Sequence, residues 1–99
     1  MNNYNAKILK CGLCDSILRN INDHFINISF DILKGNIIQV KIILDKRTEV
    51  EDEFIDEICF EFAAAIGEDI INPFEITTDI KSMHRSYVVY NKKNDAIDL

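Results

Sequence analysis

A single-domain α+β fold is the class that these 99 residues predict. Two stretches carry apolar residues at helical spacing, and two others alternate apolar with polar residues at strand spacing. They follow one another as helix, two strands, helix, two strands. No internal repeat, linker or low-complexity stretch divides the chain, and three Gly and one Pro leave few irregular loops. Short connections favour an antiparallel four-stranded sheet, in the order α-β-β-α-β-β, with both helices packed on one face. The expectation is one domain over residues 1–99, with a polar tail that frays from Asn91 onward.

The first helix is expected from about Asn5 to Asp23. At about 100° per residue, Tyr4, Ile8, Cys11, Cys14, Leu18, Ile21 and Phe25 form one apolar stripe. Gly12 opposes it, because a mid-helix glycine costs about 1 kcal/mol relative to alanine. A break there leaves a helix that starts near Asp15. A hairpin follows. Ile26, Ile28, Phe30 and Ile32 alternate with Asn27, Ser29 and Asp31, and Lys34-Gly35-Asn36 supplies turn residues able to take positive φ. The return strand sets Ile38, Val40, Ile42 and Leu44 on one face. Ile37, Lys41 and Ile43 share the other, so that face is not purely polar.

The second helix has the plainest signature in the chain. Thr48 stands three residues before Glu51 as a capping box. Val50, Phe54, Ile55, Ile58, Phe62, Ala65 and Ile66 make the apolar stripe, and Gly67 is the C-terminal stop. Pro73 blocks further helix and opens the last strands, Phe74 to Ile80 and Ser86 to Tyr90.

Charge bounds the function. Seventeen acids oppose eleven bases, a net charge of −6, which repels phosphate backbones and anionic membranes and favours a basic protein partner. The N-terminus lacks the basic and apolar regions of a signal peptide, and no apolar run is long enough to span a bilayer. Three cysteines, an odd number, fit reduced thiols in a cytosol. The expected location is cytoplasmic.

Catalytic and metal signatures are sparse. Cys11-Gly12-Leu13-Cys14 resembles a redox motif, but no parallel-sheet strand precedes it. Both thiols fall on the expected apolar stripe, so they read as core cysteines. Cys11, Cys14, His24 and Cys59 or His84 nominally make four zinc ligands, but no second C-x-x-C and no H-x₃₋₅-H completes the pattern. No Gly-rich oxyanion or phosphate loop is present. His24 reads as a cation at a helix C-terminus and His84 as part of a solvated turn. The expectation is a non-enzyme with no cofactor and no metal.

The stronger feature lies between Asp45 and Glu61, where eight acids accompany two bases. Glu49, Asp52, Glu53, Asp56 and Glu57 share the helix face opposite the apolar stripe. Like charges four residues apart cost a few tenths of a kcal/mol per pair. First-turn acids recover part of that from the helix dipole, but Asp56 and Glu57 lie beyond its reach. A plain solvated face is one explanation. Phe60 argues for another, because it projects from the acidic side, where an aromatic with a charged rim is a protein-binding anchor. A helix buried on both sides, by a neighbour or a dimer partner, is the competing explanation for Phe60.

With its acidic helix on a small sheet, an AT-rich residue usage and no catalytic motif, the chain resembles bacterial toxin immunity proteins of the contact-dependent growth inhibition or colicin type. The resemblance covers size, charge and layout, and no diagnostic motif carries it. It implies a cytosolic protein that binds a cognate basic toxin, often a nuclease domain, and occludes its active site without catalysis. Glu49, Asp52, Glu53, Asp56 and Glu57 are then the electrostatic surface and Phe60 the apolar anchor. The alternative is an acidic secretion chaperone that homodimerises through Phe60, Ala63 and Ala64 and wraps an effector segment. A monomer favours immunity and a homodimer favours the chaperone.

Overall fold

The computed structural model describes residues 6–92. Its elements are α1 (Ala6–Leu18), β1 (Phe25–Leu33), β2 (Ile37–Leu44), α2 (Glu49–Ile66), β3 (Glu75–Thr77) and β4 (Tyr87–Asn91), with a 3₁₀ turn at Glu68–Ile70. The α+β class and the element order agree with the sequence reading. The sheet, ordered β3-β2-β1-β4, is mixed rather than antiparallel. β1 runs antiparallel to β2 and β4, whereas β3 lies parallel to β2.

The cause is the length of the second connection. α2 has 18 residues, about 27 Å of rise, and so carries the chain back to the starting end of β2. There Ile71 bridges Ile38, and Glu75, Ile76 and Thr77 pair with Lys41, Ile42 and Ile43 in parallel, the geometry that a helical crossover imposes. β3 and β4 then occupy opposite edges and never pair. The expected strand to Ile80 stops at Thr77, because Asp79 starts a turn in which its carboxylate accepts from the Lys81 amide and its carbonyl from the Ser82 amide.

One core lies between the helices and the sheet. Leu9, Leu13 and Ile17 of α1 and Ile55, Ile58, Phe62 and Ile66 of α2 close over Phe25, Ile28, Phe30, Ile38, Val40, Ile42 and Leu44. Each such side chain contributes about 1.5–3 kcal/mol by leaving water. The face assignment of β2 agrees with its alternation. In β1 a bulge intervenes: Phe25 pairs with Leu44 and Asn27 with Ile43, so Ile26 is the extra residue. Phe25, not Ile26, therefore enters the core, where its ring lies 6.4 Å from that of Phe54. At the hairpin, Gly35 and Asn36 both take positive φ, 83° and 62°, as the turn residues predict.

α1 departs most from expectation. It buries Leu9, Leu13 and Ile17 and leaves Cys11, Cys14 and Leu18 exposed, Leu18 by 78%. The helix carries two apolar stripes, and the one with three large aliphatics wins over one built largely from thiols. The reading of Cys11 and Cys14 as core cysteines is therefore wrong. Tyr4 and the Ile8 side chain, which belonged to the expected stripe, lie outside the described residues. The polar residues on the buried face are satisfied locally, Ser16 by the Gly12 carbonyl at 3.2 Å and Asn20 by the Ser16 carbonyl at 2.9 Å.

α1 also ends at Leu18 rather than near Asp23. Asn20 caps it, and Asn22 accepts the His24 amide at 3.0 Å in a turn that competes with helix. His24 consequently sits at the start of β1, with Nδ1 2.8 Å from Asp45 Oδ1, and not at a helix end. At the other terminus, Asn91 belongs to β4 and pairs with Asn27, and the Lys92 amide donates to the Ile26 carbonyl. Asn91, where fraying was expected to begin, is thus paired within the sheet, and the rest of the expected tail, residues 93–99, lies outside the described residues.

Residues 78–86 cross the sheet face opposite the helices to join the two edges, and a polar cluster holds them there. Lys41, 8% exposed, donates to Ser82 Oγ at 2.6 Å and the Met83 carbonyl at 2.7 Å. Arg85 bridges Asp31 at 3.2 Å and Glu75 at 2.8 Å, and its amide donates to Ser29 Oγ at 2.7 Å. Burial pushes the Asp31 carboxyl up, but hydrogen bonds from Ser86 and Arg85 outweigh it and hold the group below the ordinary carboxylate range. This strap is what covers the mixed back face anticipated from Ile37, Lys41 and Ile43.

Helix α1 continues unbroken through Gly12, which faces Phe62. A Cβ built there meets Phe62 Cε1 at 3.9 Å, an ordinary contact. Gly12→Ala therefore gains helix propensity without a clash and should raise unfolding stability by about 0.5–1 kcal/mol. Chemical denaturation at pH 7 checks this, with the midpoint shifted upward and the m-value unchanged.

Candidate functional site

α2 starts where Thr48 takes extended backbone angles and closes a capping box with Glu51. The Thr48 amide donates to Glu51 Oε1 at 2.7 Å and the Thr48 hydroxyl at 2.5 Å, while Asn22 Nδ2 donates to Oε2 at 2.8 Å. Hydrogen bonds from Thr48 and then Asn22 hold the Glu51 carboxyl down at about 2, from an ordinary 4.5. Glu51 is only 2% exposed and joins the start of α2 to the turn after α1. At the other end of α2, Glu61 accepts from Arg19 at 2.6 Å.

These ties decide which acids are free. Asp45 faces His24, Asp52 is paired with Arg47 at 2.6 Å, Glu51 is enclosed in the cap, and Glu61 binds Arg19. Of the eight acids between Asp45 and Glu61, that leaves Glu49, Glu53, Asp56 and Glu57 exposed and, among the described residues, without an ion pair. Four of the five expected surface acids thus stand uncompensated along the outer side of α2. Asp52 shares the face but has its charge offset.

Phe60 is 71% exposed and points away from the core, on the side of these carboxylates. A large aromatic left in water contributes none of the about 1.5–3 kcal/mol that its burial would, so that amount is open to a partner that covers it. Val50 and Ala65, expected on the apolar stripe, are also exposed, while Ile55, Ile58, Phe62 and Ile66 are buried.

Beside Phe60 lies a feature that periodicity does not reveal. An open groove of about 390 Å³ runs between α2 and the segment leading into β3. Asp56, Cys59, Phe60 and Ala63 line one wall, and Ile71, Asn72 and Pro73 the other. Burial, and secondarily Asp56, pushes the Cys59 thiol up. The second wall is fastened to β2. The Asn72 amide donates to the Ile38 carbonyl at 2.9 Å, Asn72 Nδ2 to Gln39 Oε1 at 3.1 Å, and Gln39 Nε2 to the Pro73 carbonyl at 2.9 Å. Gln39, a lone amide in an Ile/Val strand, was the one signal in the sequence that something polar meets β2 there.

Other arrangements offer less chemistry. The Ser82–Lys41 contact has the spacing of a nucleophile and its base. However, Lys41 Nζ donates to both Ser82 Oγ and the Met83 carbonyl and forms a 3.8 Å ion pair with Glu75, contacts that account for it structurally as the anchor of the strap. Cys11 and Cys14 sit within α1, not at a helix start, and among the described residues no group of three or more His, Cys, Asp and Glu is placed to hold a metal ion. A hollow of about 110 Å³ lies near Asn27, whose buried Oδ1 has no hydrogen-bond partner among the described residues. No described helix is long and apolar enough to cross a membrane.

No model of a protein family matches the chain, and no curated protein matches it. Fold and surface define an α+β domain that presents one acidic, aromatic-bearing helix face.

The Glu51 cap sets a pH dependence. Its folded-state pKa lies below the unfolded one, so the stability it contributes is complete above about 4.5 and is lost as pH falls toward about 2. Glu51→Gln should be less stable than the parent at pH 7, and the gap should shrink through that window. Thermal melts at stepped pH measure the gap.

Proposed function

We propose that this protein acts by binding and not by catalysis, as an immunity protein that neutralises a cognate basic toxin by covering its active surface. The observation that carries this reading is the uncompensated array of Glu49, Glu53, Asp56 and Glu57 beside an outward Phe60. An array of fixed carboxylates stands where a nuclease expects phosphates, so it suits a nuclease domain. Asp52 adds to the rim, with part of its field cancelled by Arg47. Phe60 supplies the apolar contact that slows dissociation, since buried aromatics dominate interface energies. The proposed setting is the cytoplasm, with one copy of this chain on one toxin domain.

The experiment is affinity capture from the producing cells with the tagged full chain, run beside the Glu53→Lys/Asp56→Lys variant. The parent should retain one basic protein at a one-to-one ratio, and purified toxin domain should lose its activity when the chain is added. The variant should melt within a degree or two of the parent and retain at least tenfold less partner, because surface substitutions rarely disturb folding whereas reversed charges oppose encounter. Equal retention by both proteins means the acids are merely solvated. A homodimer carrying a secreted effector would replace this reading with the secretion chaperone.

A further inference from the structure

The groove beside Phe60 adds shape to a surface otherwise defined by charge. We infer that it seats one arginine side chain from an extended basic segment of the partner, with the aliphatic stem along Phe60 and Ala63 and the guanidinium at Asp56. The inference rests on the acidic-face reading and specifies which part of the partner is held. Among the described residues Asp56 is the single charged one lining the groove, and burial pushes the Cys59 thiol up, so the lining joins one anion to an apolar floor. Among the described residues, no lysine or arginine lines it.

Arginine fits this lining better than lysine. Its planar head stacks on an aromatic ring while forming paired hydrogen bonds to a carboxylate, and its stem tolerates an apolar bed. Asp56, Phe60 and Ala63 recur at helical spacing along the wall of α2, so one side chain lying along the helix meets all three. The opposite wall is already fixed by the bonds among Ile38, Gln39, Asn72 and Pro73. A groove formed in advance adds little ordering cost on binding. A second copy of this chain is a poor occupant, because it brings the same net charge of −6 to an acidic face.

The test is a ¹⁵N–¹H titration of the full chain with the blocked peptide acetyl-Lys-Val-Arg-Val-Lys-amide, and with the same peptide carrying citrulline, which keeps the shape and lacks the charge. Saturable shifts should centre on the amides of Cys59, Phe60, Ala63, Ile71 and Asn72. Citrulline should weaken binding about tenfold, the range for a hydrogen bond to a charged group. Phe60→Ala should weaken the arginine peptide about fivefold. Its exposure leaves folding intact, as an unchanged melting curve would show, and if the variant does not fold the citrulline comparison decides. Equal affinity for the two peptides overturns the inference. Shifts confined to Glu49, Glu53 and Glu57 and insensitive to Phe60→Ala overturn it too, yet leave the acidic face standing. The absence of saturable shifts also overturns the groove, and the capture experiment then judges the face separately.

Discussion

Three donors converge on the Glu51 carboxylate: the amide and hydroxyl of Thr48 and the side-chain amide of Asn22. Two of them begin α2, and the third reaches across from the turn after α1. Buried acids are rare because an unpaired carboxylate is expensive to desolvate, and Glu51 is tolerated because its oxygens are met by donors. The outcome is a fixed rotation of α2 about its axis. With Glu51 turned inward, Ile55, Ile58 and Phe62 follow on the buried side, and Glu49, Glu53, Glu57 and Phe60 have nowhere to go but out. The acidic face is a consequence of which acid was taken inside.

A second constraint comes from topology. Because α2 spans the sheet before β3 begins, β3 must run parallel to β2, and the approach to it passes alongside the exposed flank of the helix. That passage creates the groove. The same arrangement strands β3 and β4 at opposite edges, so residues 78–86 must cross the uncovered face of the sheet. The crossing is held by Lys41, Arg85, Asp31 and Glu75, a network of charge-assisted bonds where apolar packing is thin. The helices thus build the core, the strap seals the back, and the outer side of α2 remains as the broad uncompensated surface among the described residues.

Much of this was legible beforehand, and unevenly so. α2 was plain because capping box, apolar stripe and Gly67 all pointed to one helix, and the positions of its free acids and of Phe60 followed from the same wheel. The hairpin was plain for a similar reason, since alternation and turn residues agreed. α1 was not, because Leu9, Leu13 and Ile17 compete with Cys11, Cys14 and Leu18, and only packing against Phe62 and the sheet chooses between them. Parallel pairing of β3 was hidden because strand direction depends on where a helix returns the chain, not on any residue in the strand. The groove was hidden for the same reason, since Ile71, Asn72 and Pro73 meet α2 only after the fold closes. Ion pairs across the sheet, such as Arg85 with Asp31, join residues 54 positions apart and leave no local trace.

If uncompensated carboxylates on α2 govern recognition, their field must act before contact is made. The most direct measurement is the association rate of the purified chain with its captured partner as a function of ionic strength. Electrostatic capture predicts a rate that falls at least tenfold between about 20 mM and 500 mM salt, with the dissociation rate changing far less. A rate that is flat across that range would contradict recognition by charge and leave the acids of α2 as a solvated face.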